Sequence, residues 1–117
     1  MDRLANLAIG FVALSHVGFM VLEMFLWERP SGRRIFGKTE VQAKFSASLA
    51  ANRGLYNGFL AAGLVWGLVS GSLEVKTFFL VCVVIAGIYG GMTAKRSIVF
   101  VQALPALVAL ALVYVAR

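Results

Sequence analysis

The run from Leu4 to Trp27, LANLAIGFVALSHVGFMVLEMFLW, decides how the rest of the chain is read. It is almost continuously apolar and about as long as the ~20 residues that cross a ~30 Å hydrocarbon layer, yet it contains His16 and Glu23. Three more apolar runs follow, at about Ala47 to Val69, Val75 to Thr93 and Ser97 to Ala116. This spacing predicts four transmembrane helices, at about 4–27, 47–69, 75–93 and 97–116. A spanning β-barrel needs ~8 or more strands of alternating polarity, and these runs are too few and too continuous to supply them. The first run exceeds the ~7 to 15 apolar residues of a cleaved signal and ends at Trp27 without a small-residue cleavage pattern, so it is expected in the mature protein.

Composition points the same way. Of 117 residues, 61% are hydrophobic and 14% charged, whereas about a quarter are charged in soluble domains. A chain of this length holds one domain. The expected architecture is therefore all-α, a single integral membrane four-helix bundle over residues 1–117 with both termini on the same, external side. The formal charge is +6, but the cations flank the apolar runs, which is what membrane orientation requires, and no nucleic-acid partner is expected. Cys82 is the single cysteine and His16 the single histidine, so neither an intrachain disulfide nor a protein metal site is expected. A Gly-rich phosphate loop, an HExxH motif and a Ser-His-Asp order are all absent, and no cofactor is implied.

With four crossings every Lys and Arg can be assigned to a face. Arg29, Arg33, Arg34, Lys38 and Lys44 lie in the first loop, Arg53 near the start of the second helix, and Lys95 and Arg96 in the third loop. Arg3, Lys76 and Arg117 are left for the other side. The positive-inside rule then puts loops one and three in the cytoplasm and both termini outside; the membrane expected is the plasma membrane. Trp27, followed by Glu28, Arg29 and Pro30, reads as an aqueous boundary, because an indole favours the interface and proline before Ser-Gly ends a helix. The segment from there to Lys44 is the one long loop expected. Its stretch from Arg33 to Lys38 either lies along the interface, cations among anionic headgroups, or is simply solvated.

Helix two carries Ser46, Ala50, Gly54, Gly58 and Ala62 at every fourth position, with Gly63, Gly67 and Gly71 on an adjacent line. Such a stripe lets another backbone come close, within the monomer first and in a homo-oligomer as the alternative. Ala86 with Gly90 and Gly87 with Gly91 repeat the pattern in helix three. Pro105 is expected to kink helix four near Gln102.

Polar side chains inside these runs carry the functional reading, since an ionisable group in a spanning helix costs ~2.5–3.5 kcal/mol on insertion scales and needs a partner. At ~1.5 Å per residue, Glu23 lies ~6 Å inside from Trp27, Asn52 ~8 Å inside from Ala47, Tyr89 ~8 Å from Ala94 and Gln102 ~8 Å from Ser97. All four helices thus bring a polar group to one level. Asn52, Tyr56 and Phe59 share a face of helix two, with Arg53 and Asn57 beside it. The expected site is a cytoplasm-facing pocket lined by Glu23, Asn52, Arg53, Tyr56, Asn57, Tyr89 and Gln102, with Glu23 paired to Arg53. The competing reading is a set of helix-to-helix hydrogen bonds that hold the register. His16, near the midplane, is either a hydrogen-bonded core residue or an accessory group of the pocket.

The segment Asn52-Arg53-Gly54-Leu55-Tyr56-Asn57-Gly58, with Glu23 in Leu22–Trp27 and the element from Gln102 to Pro105, resembles a family of small membrane proteins known as domain of unknown function 1304. The resemblance covers essentially the whole chain. It implies a four-helix integral membrane protein and brings no activity, substrate or cofactor. A second likeness, to the membrane-associated eicosanoid and glutathione metabolism proteins, lies in topology and residue types, and their Arg-Ala-His-x-Asn spacing is absent around Arg53.

Three functional classes fit these residues. The leading one is a membrane protein whose partners are the lipid bilayer and a small polar or amphipathic ligand held in the pocket. The second is a membrane-embedded enzyme acting on a lipophilic substrate, with Glu23 and Tyr56 handling protons and Arg53 clamping an anion. The third is an accessory subunit docked through the small-residue stripe.

Overall fold

A computed structural model describes residues 2–115, with side chains from residue 3, and among these all regular structure is helical. The elements are α1 (Asp2–Met24), α2 (Pro30–Phe36), α3 (Glu40–Ser70), α4 (Leu73–Thr93), a π-helical turn (Val99–Ala103) and α5 (Leu104–Val115).

The stretch after Trp27 is a short helix and the start of a long one, where the sequence suggested a loop. Pro30 stands at the first position of α2, where a missing N–H has no intrahelical partner to lose, and Gly37 closes the helix in the left-handed region at φ 65°. Two residues later Thr39 and Gln42 cap each other. The Thr39 N–H donates to Gln42 Oε1 at 3.0 Å, and the Gln42 N–H donates to Thr39 Oγ1 at 3.1 Å. This reciprocal box starts α3 at Glu40 rather than at Ala47. Thr39→Ala should cost about 1 kcal/mol and fray this first turn, read as faster amide hydrogen exchange from Val41 to Ala43 with α4 unaffected.

At the other end of the chain, Pro105 offers no N–H to the Val101 carbonyl and its ring would press on it. The backbone answers with a wider turn. Val99–Ala103 is π-helical, Gln102 lies within it, and the Leu104 N–H reaches back to the Val99 carbonyl. The interruption expected near Gln102 takes this form.

Contacts divide the chain into two compact units. The first joins α1 as far as Leu14 to the chain from Leu60 onward. Its core is Ile9, Val12, Leu64, Leu80, Val83 and Ala109 with smaller neighbours. Glycines of α4 close on the π turn: a Cβ built on Gly87 would fall 2.6 Å from the Ala103 backbone nitrogen, and one on Gly90 3.0 Å from the Ile98 side chain. On α3, Gly63 faces the Phe79 ring and Gly67 faces Lys76, so side chains of the same chain fill this part of the small-residue line. Lys76 Nζ donates to Asn6 Oδ1 at 3.1 Å, and the Thr77 and Tyr114 hydroxyls bond at 2.9 Å.

The second unit is Ser15–Phe59. Its core is Trp27, Ala43 and Ala50, with Phe36 and Ala47 against them.

Two helical stretches are long and apolar enough to cross a bilayer, Arg3–Met24 and Leu73–Thr93; Val99–Val115 is apolar but shorter. Leu7, Phe11 and Leu14 on the first and Phe78, Ile85 and Ile88 on the second are exposed.

Candidate functional site

The second unit contains Glu23, the buried carboxylate among the described residues. Glycines at Gly54 and Gly58 leave a groove on α3 into which α1 settles: a Cβ on Gly54 would lie 3.1 Å from Glu23 Cβ and 3.2 Å from the Met20 carbonyl, and one on Gly58 2.8 Å from Met20 Sδ. This close approach brings the Glu23 carboxylate to Arg53 and Asn57, which are four apart and so neighbours on one helix face. Arg53 Nε lies 2.9 Å from Glu23 Oε2, and Asn57 Nδ2 donates to Oε1 at 2.5 Å. Glu23 is only 6% exposed, whereas the Arg53 side chain is 59% exposed. The pair is therefore lopsided: a buried anion held by a cation with one edge outside.

The chain just after α1 backs this pair. Arg53 Cζ sits 5.4 Å from the centre of the Trp27 ring, a cation–π arrangement. The indole is held in turn by Phe36, with ring centres 4.7 Å apart, and by its N–H, which donates to Ser46 Oγ at 3.1 Å. Ser46 Oγ donates to the Gln42 carbonyl at 2.8 Å. Gly32 of α2 lies directly on the Leu26 carbonyl and Trp27 backbone, where any side chain would collide. Beside Glu23, an open recess of about 360 Å³ is lined by Met24, Phe25, Trp27, Glu28, Arg29 and Ala47.

These bonds limit the chemistry. Each Glu23 oxygen holds one partner, which fixes the carboxylate's orientation between Arg53 and Asn57. Arg53 engages Glu23 through Nε, and its outward edge can receive an anionic or strongly polar oxygen with the fork geometry that guanidinium offers.

The other candidate residues take different positions. Asn52 and Tyr56 are exposed on α3 and turn away from Glu23's partners, Tyr56 packing edge-on to Phe59. The sequence emphasised that face, whereas α1 packs on the adjoining one, which carries Arg53, Gly54, Asn57 and Gly58. Tyr89 and Gln102 belong to the other unit: Tyr89 is exposed and Gln102 part-buried in the π turn. His16 is fully buried and meets the Phe19 ring edge-on at 5.2 Å. Trp27, read as an interfacial marker, is buried at the centre of its unit. Helical spacing from Glu23 does not give its place behind Arg53, because α1 ends at Met24 and Trp27 lies in the turn that follows. Among the described residues no group of three or more His, Cys, Asp or Glu gathers as metal ligands.

Comparison with known proteins adds a family. The family profile described as protein of unknown function (DUF1304) matches residues 10–114. The uncharacterized protein YpaA of Lactococcus lactis subsp. lactis (strain IL1403) is 31% identical over 103 residues, covering 85% of this chain and 87% of that protein. No solved structure matches.

Proposed function

We propose, for a chain that belongs to the DUF1304 family of proteins of unknown function, a role as a four-helix plasma-membrane protein that binds a small polar or amphipathic ligand in an intramembrane pocket on its cytoplasmic side. Two stretches of spanning length and a third, shorter apolar one support the membrane reading. The apolar second half of α3 supplies the fourth crossing, which returns both termini to the external face. The cations between Arg29 and Arg53 then face the cytoplasm, in keeping with the positive-inside bias.

One observation carries the ligand: a buried Glu23, paired with an Arg53 whose side chain is more than half exposed, lines an open recess together with Trp27 and Arg29. A pair needed only to hold helices in register would have no use for an accessible fork. In this reading Arg53 binds the polar end of the ligand, Asn57 fixes Glu23, and Trp27 and Phe25 receive the ligand's apolar part. His16 is accessory.

The test is native mass spectrometry of the protein extracted with its surrounding lipid into polymer-bounded discs. Arg53→Lys keeps a cation against Glu23 and removes the fork, so the fold is spared. It should lower occupancy by a bound small molecule about tenfold, the equivalent of one charge-assisted hydrogen bond, while Ile85→Ala on α4 should leave occupancy unchanged. Equal occupancy in the wild type and Arg53→Lys would refute the pocket.

A further inference from the structure

We infer that α2 and the first turns of α3 form a surface element that lies on an anionic membrane face, seating Ile35, Val41, Phe45 and Leu49 at the headgroup–acyl boundary. At ~100° per residue, Val41, Phe45 and Leu49 fall on the side of α3 opposite Ala43, Ala47 and Ala50. The alanines are in the core of the unit. The opposite stripe is outside: Phe45 is 92% exposed, and Val41 and Leu49 are each exposed by about three quarters. Ile35 of α2 is exposed as well, while Phe36 beside it is turned in on Trp27.

Charge identifies the occupant of this face. Between residues 29 and 49 the chain carries Arg29, Arg33, Arg34, Lys38 and Lys44 against Glu40 alone. A second copy of the chain would set like charges against one another. Anionic headgroups complement them, and each cation near such a surface strengthens attachment. Length adds a further reason. The 31 residues of α3 extend ~46 Å at ~1.5 Å each, well beyond a ~30 Å hydrocarbon layer. Its first turns therefore emerge from the hydrocarbon into the headgroup region, where exposed apolar residues flanked by cations meet anionic lipid.

The inference rests on the membrane-spanning reading, and the test separates the two. Spin labels are placed at Phe45→Cys and Ile85→Cys in a Cys82→Ser background of the full chain. The protein is reconstituted into vesicles of phosphatidylcholine alone or mixed with phosphatidylglycerol, and label depth is read from the accessibility of oxygen and of a water-soluble nickel complex. The Ile85 label is expected deep in both membranes. The label at position 45 should be lipid-shielded in the mixed vesicles. Arg34→Gln/Lys38→Gln, both at exposed positions, should lower the ratio of shielded to water-exposed label about fivefold per cation removed. A deep Ile85 label with position 45 equally wet in both lipids would overturn the surface element alone. So would a position 45 label shielded by a second copy, seen as a short label-to-label distance. A wet Ile85 label would overturn the spanning reading and the surface element with it.

Discussion

Replacing Gly87 by valine is expected to force α4 off the π-helical turn and to lower the unfolding free energy by about 3 kcal/mol, at the upper end for overpacking. A Cβ at this position would lie 2.6 Å from the Ala103 nitrogen, 2.7 Å from its Cβ and 2.9 Å from its Cα. None of these atoms belongs to a side chain that can rotate away, so relief requires moving one helix. The Pro105 irregularity makes that costly, because the turn it widens is the one that Gly87 admits. Gly18 is the control: nothing stands within 4 Å of the added carbon, and Gly18→Ala should be neutral or stabilising by up to ~1 kcal/mol through helix propensity. Reversible unfolding in mixed detergent micelles measures both. A Gly87→Val protein as stable as the wild type would show that α4 and the turn do not meet as closely as described.

The apolar runs were legible because burying or lipid-facing sequence announces itself by length, and helices around Leu4–Met24 and Val75–Thr93 follow from it. The start of α3 was not. Glu40–Ser46 mixes charge with isolated apolar residues and carries no long apolar run, and the turn signals at Pro30 and Gly37 outweighed the capping pair Thr39 and Gln42, three residues apart in plain view. The need of Glu23 for a cation was readable from its position in an apolar helix, and Arg53 answers it. Which face of α3 meets α1 was harder, since polarity alone favours Asn52 and Tyr56 as much as Arg53 and Asn57. The phase of Ala50, Gly54 and Gly58 held the answer, because the line of small residues is where a neighbouring backbone can approach, and Arg53 and Asn57 flank that line. Trp27 misled for a related reason. An indole after an apolar run suits an interface, and only the fold of Gly32 and Phe36 over it turns the ring inward.

Arg53→Met and Glu23→Gln should differ sharply although they break the same pair. Methionine at position 53 leaves the Glu23 carboxylate buried with Asn57 as its one remaining partner in the pair's cluster, and removes the contact over Trp27. Breaking a fully buried pair from one side costs about 3–5 kcal/mol, and the exposure of Arg53 reduces this to about 2 kcal/mol here. Glutamine at position 23 instead keeps the shape and a carbonyl oxygen for Asn57, and the cation left behind is already half in the open. The expected loss is about 0.5 kcal/mol. The double variant decides the matter. With a neutral residue at position 23, removing Arg53 no longer strands a charge, so Glu23→Gln/Arg53→Met should regain at least about 1 kcal/mol over the sum of the single losses. Simple additivity in the same micelle unfolding assay would mean that Arg53 acts through its contact with Trp27 and not through the carboxylate. Arg53 meets its buried partner through Nε while its side chain stays 59% exposed, so the arrangement that holds Glu23 inside the protein is also the one that presents a cation at its surface.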